Sequence, residues 1–188
     1  MKRKDEAKAR DILAATLRTV QEHGLVGLSM EAVARRAGVA AGTLYVYHAS
    51  KEALLDALYL ETKRALAAAV FRDEGLPVRP AFLKMCGAYL EYLAAHPAEI
   101  AFLEQMSRST LLSARTRAAA EPGVRPLVEL LERGKRELLL KDLDTRLMIS
   151  FLQATVHELS SFAAALPPAR RPAQHRQIAQ LCWDALKA

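Results

Sequence analysis

Apolar residues recur at intervals of three and four along almost the whole chain, and nowhere do β-branched residues alternate with polar ones as a strand requires. About a third of the 188 residues are Ala or Leu, both strong helix formers. Gly and Pro number eight each and fall at the joints between amphipathic runs. This pattern predicts an all-α fold of about nine or ten helices. The length suits one large domain or two small ones, and such a chain buries roughly 70% of the surface it exposes when unfolded.

Composition narrows the function classes. A chain that is 52% hydrophobic with a formal net charge of +6 is no disordered tail. No stretch reaches the roughly 18–20 apolar residues of a membrane span, so no membrane partner is expected. The opening MKRKDEAKAR has no apolar core behind its basic residues and does not read as a signal peptide. Cys86 and Cys182 both fall on predicted apolar helix faces and make no disulfide framework, which points to a reduced, cytoplasmic setting.

The first helix is predicted over about 5–23, with Ile12, Leu13, Thr16, Leu17 and Val20 on one face and Gly24 as its stop. Ser29 caps a short helix to about Ala37, Gly38 ends it, and a second short helix covers about 40–47. Ser50 caps a longer helix from Lys51 to about Phe71, with Glu52 well placed for its positive N-terminus. Further helices are expected over about 80–95, 97–106, 110–120, 124–140, 144–166 and 170–187.

Residues 29–52, SMEAVARRAGVAAGTLYVYHASKE, thus hold two short helices joined by a Gly-containing turn and followed by a capped long one. That is a helix-turn-helix arrangement. Isolated helices below roughly 12 residues are marginal in water, so both short helices must pack on their neighbours. Leu13, Leu17, Val20, Leu28, Val33, Val39, Leu44 and Leu54 suffice for a small core. Ala41, Gly42, Thr43, Tyr45, Val46 and Tyr47 are left largely outward. A face of small residues and two tyrosines fits a groove that bulk would block.

The string GLSMEAVARRAGVAAGTLYVYHASKEALL resembles the N-terminal signature of the TetR family of bacterial transcriptional regulators. The resemblance covers residues 8 to about 60, and in it the cap, turn, glycine, tyrosine and Ser-Lys-Glu spacings agree together. The rest of the chain is similar only in pattern. The resemblance implies a DNA-binding domain over 1–52 and a helical ligand-binding and dimerisation domain over 53–188. It also implies a homodimer, a palindromic double-stranded DNA operator, and a small-molecule effector whose binding weakens DNA binding. Carried onto this sequence, Ser29 caps the second helix and touches a phosphate, and Gly42 lets the recognition helix approach closely. Thr43 and Tyr45 touch bases or backbone, Tyr47 donates to a phosphate, and Lys51 contacts the backbone. Ala41, Val46 and His48 complete the set.

The chain departs from the family's usual pattern at two positions, with Tyr47 where a His is common and His48 where a buried Phe is usual. His48 is therefore either a packing side chain or an added phosphate contact. The outward positions of the recognition helix hold no Arg, Lys, Asn or Gln, the side chains that read purines bidentately. Direct readout is accordingly thin, with Thr43 and Val46 against thymine methyls and Tyr45 beside them, and DNA shape supplies the rest. Lys2, Arg3 and Lys4 are either an arm on the DNA backbone or minor groove, or a solvated tail.

Toward the C-terminus the apolar residues admit two readings. Phe82, Cys86, Tyr89, Phe102, Leu103, Met106, Met148, Phe151 and Leu152 line a ligand pocket or are simply core. Tyr89, Gln153 and His157 are polar candidates for orienting a ligand, although Ser150, Gln153, His157 and Ser161 equally form a surface stripe at helical spacing. Glu91, Glu104 and Glu158 would counter a cationic ligand if buried and are otherwise solvated; the apolar set favours a largely apolar ligand. The resemblance assigns the last two helices to the dimer interface, through Thr155, Leu159, Phe162, Ile178, Leu181, Cys182 and Ala185. The alternative is that helix 170–187 closes the monomer's own core.

Other chemistry is poorly supported. His23, His48, His96, His157 and His175 are scattered, with no ligand spacing for a metal. No glycine-rich phosphate loop follows a strand, and no acid–base constellation suggests an enzyme, so no cofactor is expected. Bulk charge is a weak guide too: residues 1–60 hold nine Lys/Arg against seven Asp/Glu, only +2 of the +6. The competing reading is an all-helical ligand-binding or adaptor module without sequence-specific DNA binding. Residues 29–51 separate the two, because an adaptor has no need of them.

Overall fold

A computed structural model describes residues 2–72 and 75–188, with side chains from Asp5 onward. The arm expected from Lys2, Arg3 and Lys4 concerns side chains outside the described residues. Ten α-helices and two 3-10 turns are present among the described residues, and no strand. The helices are α1 (Lys2–Gly27), α2 (Met30–Ala37), α3 (Ala41–Tyr47), α4 (Lys51–Val70), α5 (Val78–Ala95), α6 (Pro97–Arg108), α7 (Ala114–Ala120), α8 (Arg125–Arg136), α9 (Thr145–Ala164) and α10 (Arg171–Leu186). None of them is long and apolar enough to cross a membrane. They pack as two compact units: the chain up to Arg64 with Pro97–Ala120, and Ala65–His96 with Glu121–Ala188.

In the first unit, α1 packs on α2 and α6. Gly24 breaks its regular helix at φ 69°, ψ 176°, a left-handed φ that favours glycine. The buried face of α1 carries Ile12, Ala15, Thr16, Thr19 and Val20, while Leu13 and Leu17 are only half-buried. The buried face therefore keeps the predicted Ile12, Thr16 and Val20 but is turned toward Ala15 and Thr19 and away from Leu13 and Leu17. Two threonines are tolerated in this core because each hydroxyl donates to the carbonyl four residues earlier, Thr16 to Ile12 and Thr19 to Ala15, at 2.8 Å each. Buried hydroxyls without such partners would be costly.

α2 is stopped at both ends by its own sequence. The Ser29 Oγ accepts from the Ala32 N–H at 3.1 Å. At the other end Gly38 sits at φ 66°, ψ 31°. There the Val39 N–H donates to the Ala34 carbonyl at 3.0 Å and the Gly38 N–H to Arg35 at 3.3 Å. This paired closure is the Schellman arrangement. Met30, Val33 and Ala34 are buried, and an Arg36–Glu22 ion pair ties α2 to α1. α6 adds Ile100, Phe102, Leu103 and Met106 to the core of the unit.

In the second unit, α5 packs against α8, α9 and α10, burying Val78, Phe82, Cys86, Leu90 and Leu93. Phe82 meets Trp183 edge-on, with ring centroids 5.4 Å apart. α9 contributes Met148, Leu152, Val156 and Ala163, and α10 contributes Ile178, Ala179, Cys182, Trp183 and Leu186. α8 is shorter than the predicted 124–140, because it ends at Arg136. Leu138 takes φ 55°, and the Leu139 and Leu140 N–H groups both donate to the Gly134 carbonyl, at 2.9 and 3.1 Å. The chain then pairs with the C-terminus, Leu140 bridging Lys187. A Cβ on Gly134 would lie 2.5 Å from the Leu140 Cδ1 and 2.8 Å from its Cγ, so a larger residue there must displace the buried Leu140 side chain.

Candidate nucleic-acid interface

α3 has seven residues and one buried side chain, Leu44, which is fully enclosed. Leu44 anchors the helix to the unit, and the Leu44 N–H donates to the Ala40 carbonyl at 3.2 Å. On the opposite side Val46 is 85% exposed, with Tyr45, Ala41 and Gly42 also facing solvent and Thr43 half-buried. A Cβ placed on Gly42 meets nothing within 4 Å. The chain's own packing therefore does not require glycine there.

The rim of this face is held by polar contacts. Ser29 is exposed at the start of α2. Tyr47 donates its hydroxyl hydrogen to the Asp5 Oδ1 at 3.3 Å, and burial together with the Asp5 charge raises the phenol's pKa above its ordinary value. The Lys51 Nζ donates to the Val26 carbonyl at 3.0 Å. Ser50 caps α4, accepting from the Ala53 N–H at 3.2 Å. Hydrogen bonds from its own backbone N–H and from Ser50 hold the Glu52 carboxyl below the usual carboxylate range. His48 is half-buried, and desolvation lowers its pKa below the ordinary 6.5. A neutral, partly enclosed imidazole supports the packing reading of His48. No charged side chain stands on α3 itself.

The apolar set expected to line a pocket divides between the units. Phe102, Leu103 and Met106 are buried in the first, and Phe82, Cys86, Met148 and Leu152 in the second, where Tyr89 is half-buried. Burial pushes the Cys86 and Cys182 thiols upward in pKa. Phe151 is placed differently from the expectation: it is 38% exposed on the outer side of α9, not among the enclosed residues. Gln153, Ser150 and Ser161 are also exposed, His157 is half-buried, and of the three glutamates only Glu104 is half-buried. Within the first unit a cleft of about 320 Å³ opens between α1 and α6, lined by Val20, Gln21, Pro97, Ala98, Ala101, Phe102 and Gln105. Among the described residues no cluster of His, Cys, Asp and Glu has the makings of a metal site.

The residues expected at a dimer interface also separate. Phe162 is 60% and Leu181 is 59% exposed, Ala185 is exposed, and Thr155 and Leu159 are half-buried. Ile178 and Cys182 correct the expectation. Both are buried in the unit's own core and have no surface left to lose to a partner. The resemblance and helical spacing together joined 178, 181, 182 and 185 into one seam, but in the folded unit 178 and 182 are buried while 181 and 185 are exposed. Sequence reasoning missed Leu147, exposed on α9 four residues before Phe151, although that i,i+4 step was legible. It also missed Asp5 as the partner of Tyr47, for which no local signal exists across 42 positions.

Comparison with known proteins agrees with this arrangement. Residues 12–58 match the family model of bacterial regulatory proteins of the tetR family. Over 77 residues the chain is 34% identical to an uncharacterized HTH-type transcriptional regulator of Mycobacterium tuberculosis, covering 41% of this chain and 36% of that protein. The match thus spans little more than a third of that relative's length. Over 165 residues it is 29% identical to the HTH-type transcriptional regulator BetI of Burkholderia thailandensis, covering 88% of this chain and 72% of that one. A TetR family transcription regulator from Marinobacter aquaeolei, 22% identical, has the same fold with a TM-score of 0.88, over 100% of this chain and 99% of the other.

Proposed function

We propose that this chain, which belongs to the TetR family of bacterial transcriptional regulators, is a repressor that binds a palindromic operator as a homodimer and is released by a small, largely apolar ligand. The observation that carries the reading is the α3 face, where Leu44 alone is buried and Val46 is 85% exposed. A seven-residue helix presenting Ala41, Gly42, Thr43, Tyr45 and Val46 is narrow enough for a major groove. Ser29, Tyr47 and Lys51 flank it as the phosphate contacts, and contacts of that kind fix register without reading sequence. His48 packs behind them. The reading division falls at 52/53 and is one of function, separate from the packing units.

The dimer face is drawn from Thr155, Leu159, Phe162, Leu181 and Ala185, with Leu147 and Phe151 added. Large aliphatic and aromatic side chains left in water on two adjacent helices favour a partner of the same kind. Pairing doubles the net charge to about +12, which aids steering to DNA. Candidate ligand contacts are Phe82, Cys86, Tyr89, Met148 and Leu152 in the second unit and Phe102, Leu103 and Met106 in the first. Linkage requires that a releasing ligand bind the DNA-free form more tightly than the DNA-bound form.

The test is binding of the full chain to a mixed-sequence DNA duplex at two salt concentrations, followed by operator selection from random DNA. Affinity falls steeply with added salt if phosphate contacts are made. Absence of binding at low salt would leave only the adaptor reading. For the dimer, Leu181→Glu is expected to give a monomer by sedimentation with the helical content unchanged, since the side chain is 59% exposed. A variant that remains dimeric removes α10 from the interface.

A further inference from the structure

We propose that Asp5 is an internal competitor for DNA phosphate at Tyr47, so that α1 itself restrains the affinity of the recognition helix. The inference rests on the DNA-binding reading above. Its basis is the contact between the first turns of α1 and the end of α3, where the Tyr47 hydroxyl donates to the Asp5 Oδ1 at 3.3 Å. A phenol carries a single hydrogen. Tyr47 can therefore donate to Asp5 or to a phosphate, and never to both.

Lys51 shows the contrast. Its Nζ also donates to α1, to the Val26 carbonyl at 3.0 Å, but an ammonium has three hydrogens. Lys51 keeps Val26 while turning another hydrogen to DNA. At Tyr47 the exchange is strict, and the displaced group is a carboxylate left beside an incoming phosphate, two anionic groups around one hydroxyl. Binding thus gives up one hydrogen bond and brings like charges together. Because this cost falls on a phosphate contact, it weighs on every DNA sequence alike and depresses non-specific binding, which consists of little else. Asp5 is exposed, so no core packing depends on it. Its place in the first turn of α1 also suits the helix dipole, and the experiment must separate that role.

A double-mutant cycle on the full chain does so, with a labelled mixed-sequence duplex at low salt as the probe. Asp5→Ala is expected to tighten binding about three- to fivefold, the size of a screened surface charge pair. Asp5→Asn, which removes the charge but leaves an acceptor oxygen, gives part of that gain. In a Tyr47→Phe background the Asp5→Ala gain shrinks toward none, and any effect of residue 5 on α1 alone cancels across the cycle. Weaker or unchanged binding by Asp5→Ala overturns the inference, because Asp5 would then position Tyr47 for DNA. An equal gain with and without the Tyr47 hydroxyl overturns it too, reducing Asp5 to bulk charge. If the unmodified chain fails to bind the duplex, the DNA reading falls and carries this inference with it. If it binds and Asp5→Ala does not tighten it, the inference falls alone.

Discussion

α3 and α10 use helix in opposite ways. α3 has seven residues, one enclosed side chain, no side-chain cap and no charge. α10 has sixteen residues and encloses Ile178, Ala179, Cys182, Trp183 and Leu186 on one face, with Leu181 and Ala185 left on the other. Burying one leucine contributes about 1.5–3 kcal/mol, too little to hold a helix whose isolated form is marginal. α3 is therefore held by what surrounds it: the Gly38 turn, the closure of α2, and packing against α2. α10 is held by its own buried face, and its outer face is surplus. The difference teaches that exposure has two meanings in this molecule. On α3 the exposed face sets Ala41 and Gly42 beside Tyr45 and Val46 on a helix of two turns; on α9 and α10 it carries Leu147, Phe151, Phe162 and Leu181 along two long helices.

The sharpest way to break the comparison is to remove one side chain from each region. Phe82→Ala in the second unit should cost about 3–5 kcal/mol, the range for emptying an aromatic site in a closed core, because Phe82 is fully buried and meets Trp183 edge-on. Urea unfolding monitored by Trp183 fluorescence measures it. A loss under about 1 kcal/mol would mean that this core collapses freely around the cavity, and the claim that α10 stands on its own buried face would go.

Leu44→Ala comes next. A Leu→Ala change in a closed site costs about 2–5 kcal/mol, and here the lower part of that range is expected, since α3 can shift toward the gap. DNA binding should be lost along with it, because Leu44 is the only buried side chain of α3. Unfolding and duplex binding are measured on the same preparation. If binding survives a clear loss of stability, the turn and the packing on α2 hold α3 by themselves, and the contrast with α10 becomes one of degree.

How much of this was legible in the sequence differs by region for the same reason. Ser29, Gly38 and Ser50 act within three or four residues of themselves, so α2 and the start of α4 were readable from residue type and spacing. The buried face of α1 was legible only in part: Ile12, Thr16 and Val20 lie on it as the spacing predicts, but Thr19 counts as polar until its hydroxyl is seen donating to Ala15. α8 read as too long because three consecutive leucines look helical, while its end is set by Gly134 and a pairing with the C-terminus. Ile178 and Cys182 share helical spacing with Leu181 and Ala185, and only the packing of α10 within its unit decides which pair is enclosed. Asp5 lies 42 positions from Tyr47, beyond any periodic argument.

Ser29→Ala sharpens the comparison at a smaller scale. Loss of the Oγ that accepts from the Ala32 N–H should cost about 1 kcal/mol, the usual value for an N-cap. Guanidinium unfolding gives the change in midpoint. DNA affinity should fall by more than the change in global stability explains, because Ser29 both caps α2, which sets the turn into α3, and stands among the proposed phosphate contacts. An equal effect on both would show α2 and α3 failing only with the whole unit.

The smallest effect is expected at His48, and its sign follows from burial. Desolvation lowers the folded-state pKa below 6.5, so between the folded and unfolded values the unfolded chain binds more protons. The stability associated with a neutral His48 is present above pH 6.5 and is lost as the pH falls through that value toward the lower folded one. His48→Phe has no proton to take up. The stability of the variant relative to the unmodified chain should therefore grow as the pH is lowered from about 7 to about 5, across the ordinary histidine range. His175, also lowered by burial, is common to both proteins and cancels in the difference. Thermal unfolding across that range is the measurement. A difference that stays flat with pH would mean that His48 is as solvated in the folded chain as in the unfolded one, and the imidazole would return to the phosphate-facing rim of α3 instead of the packing behind it.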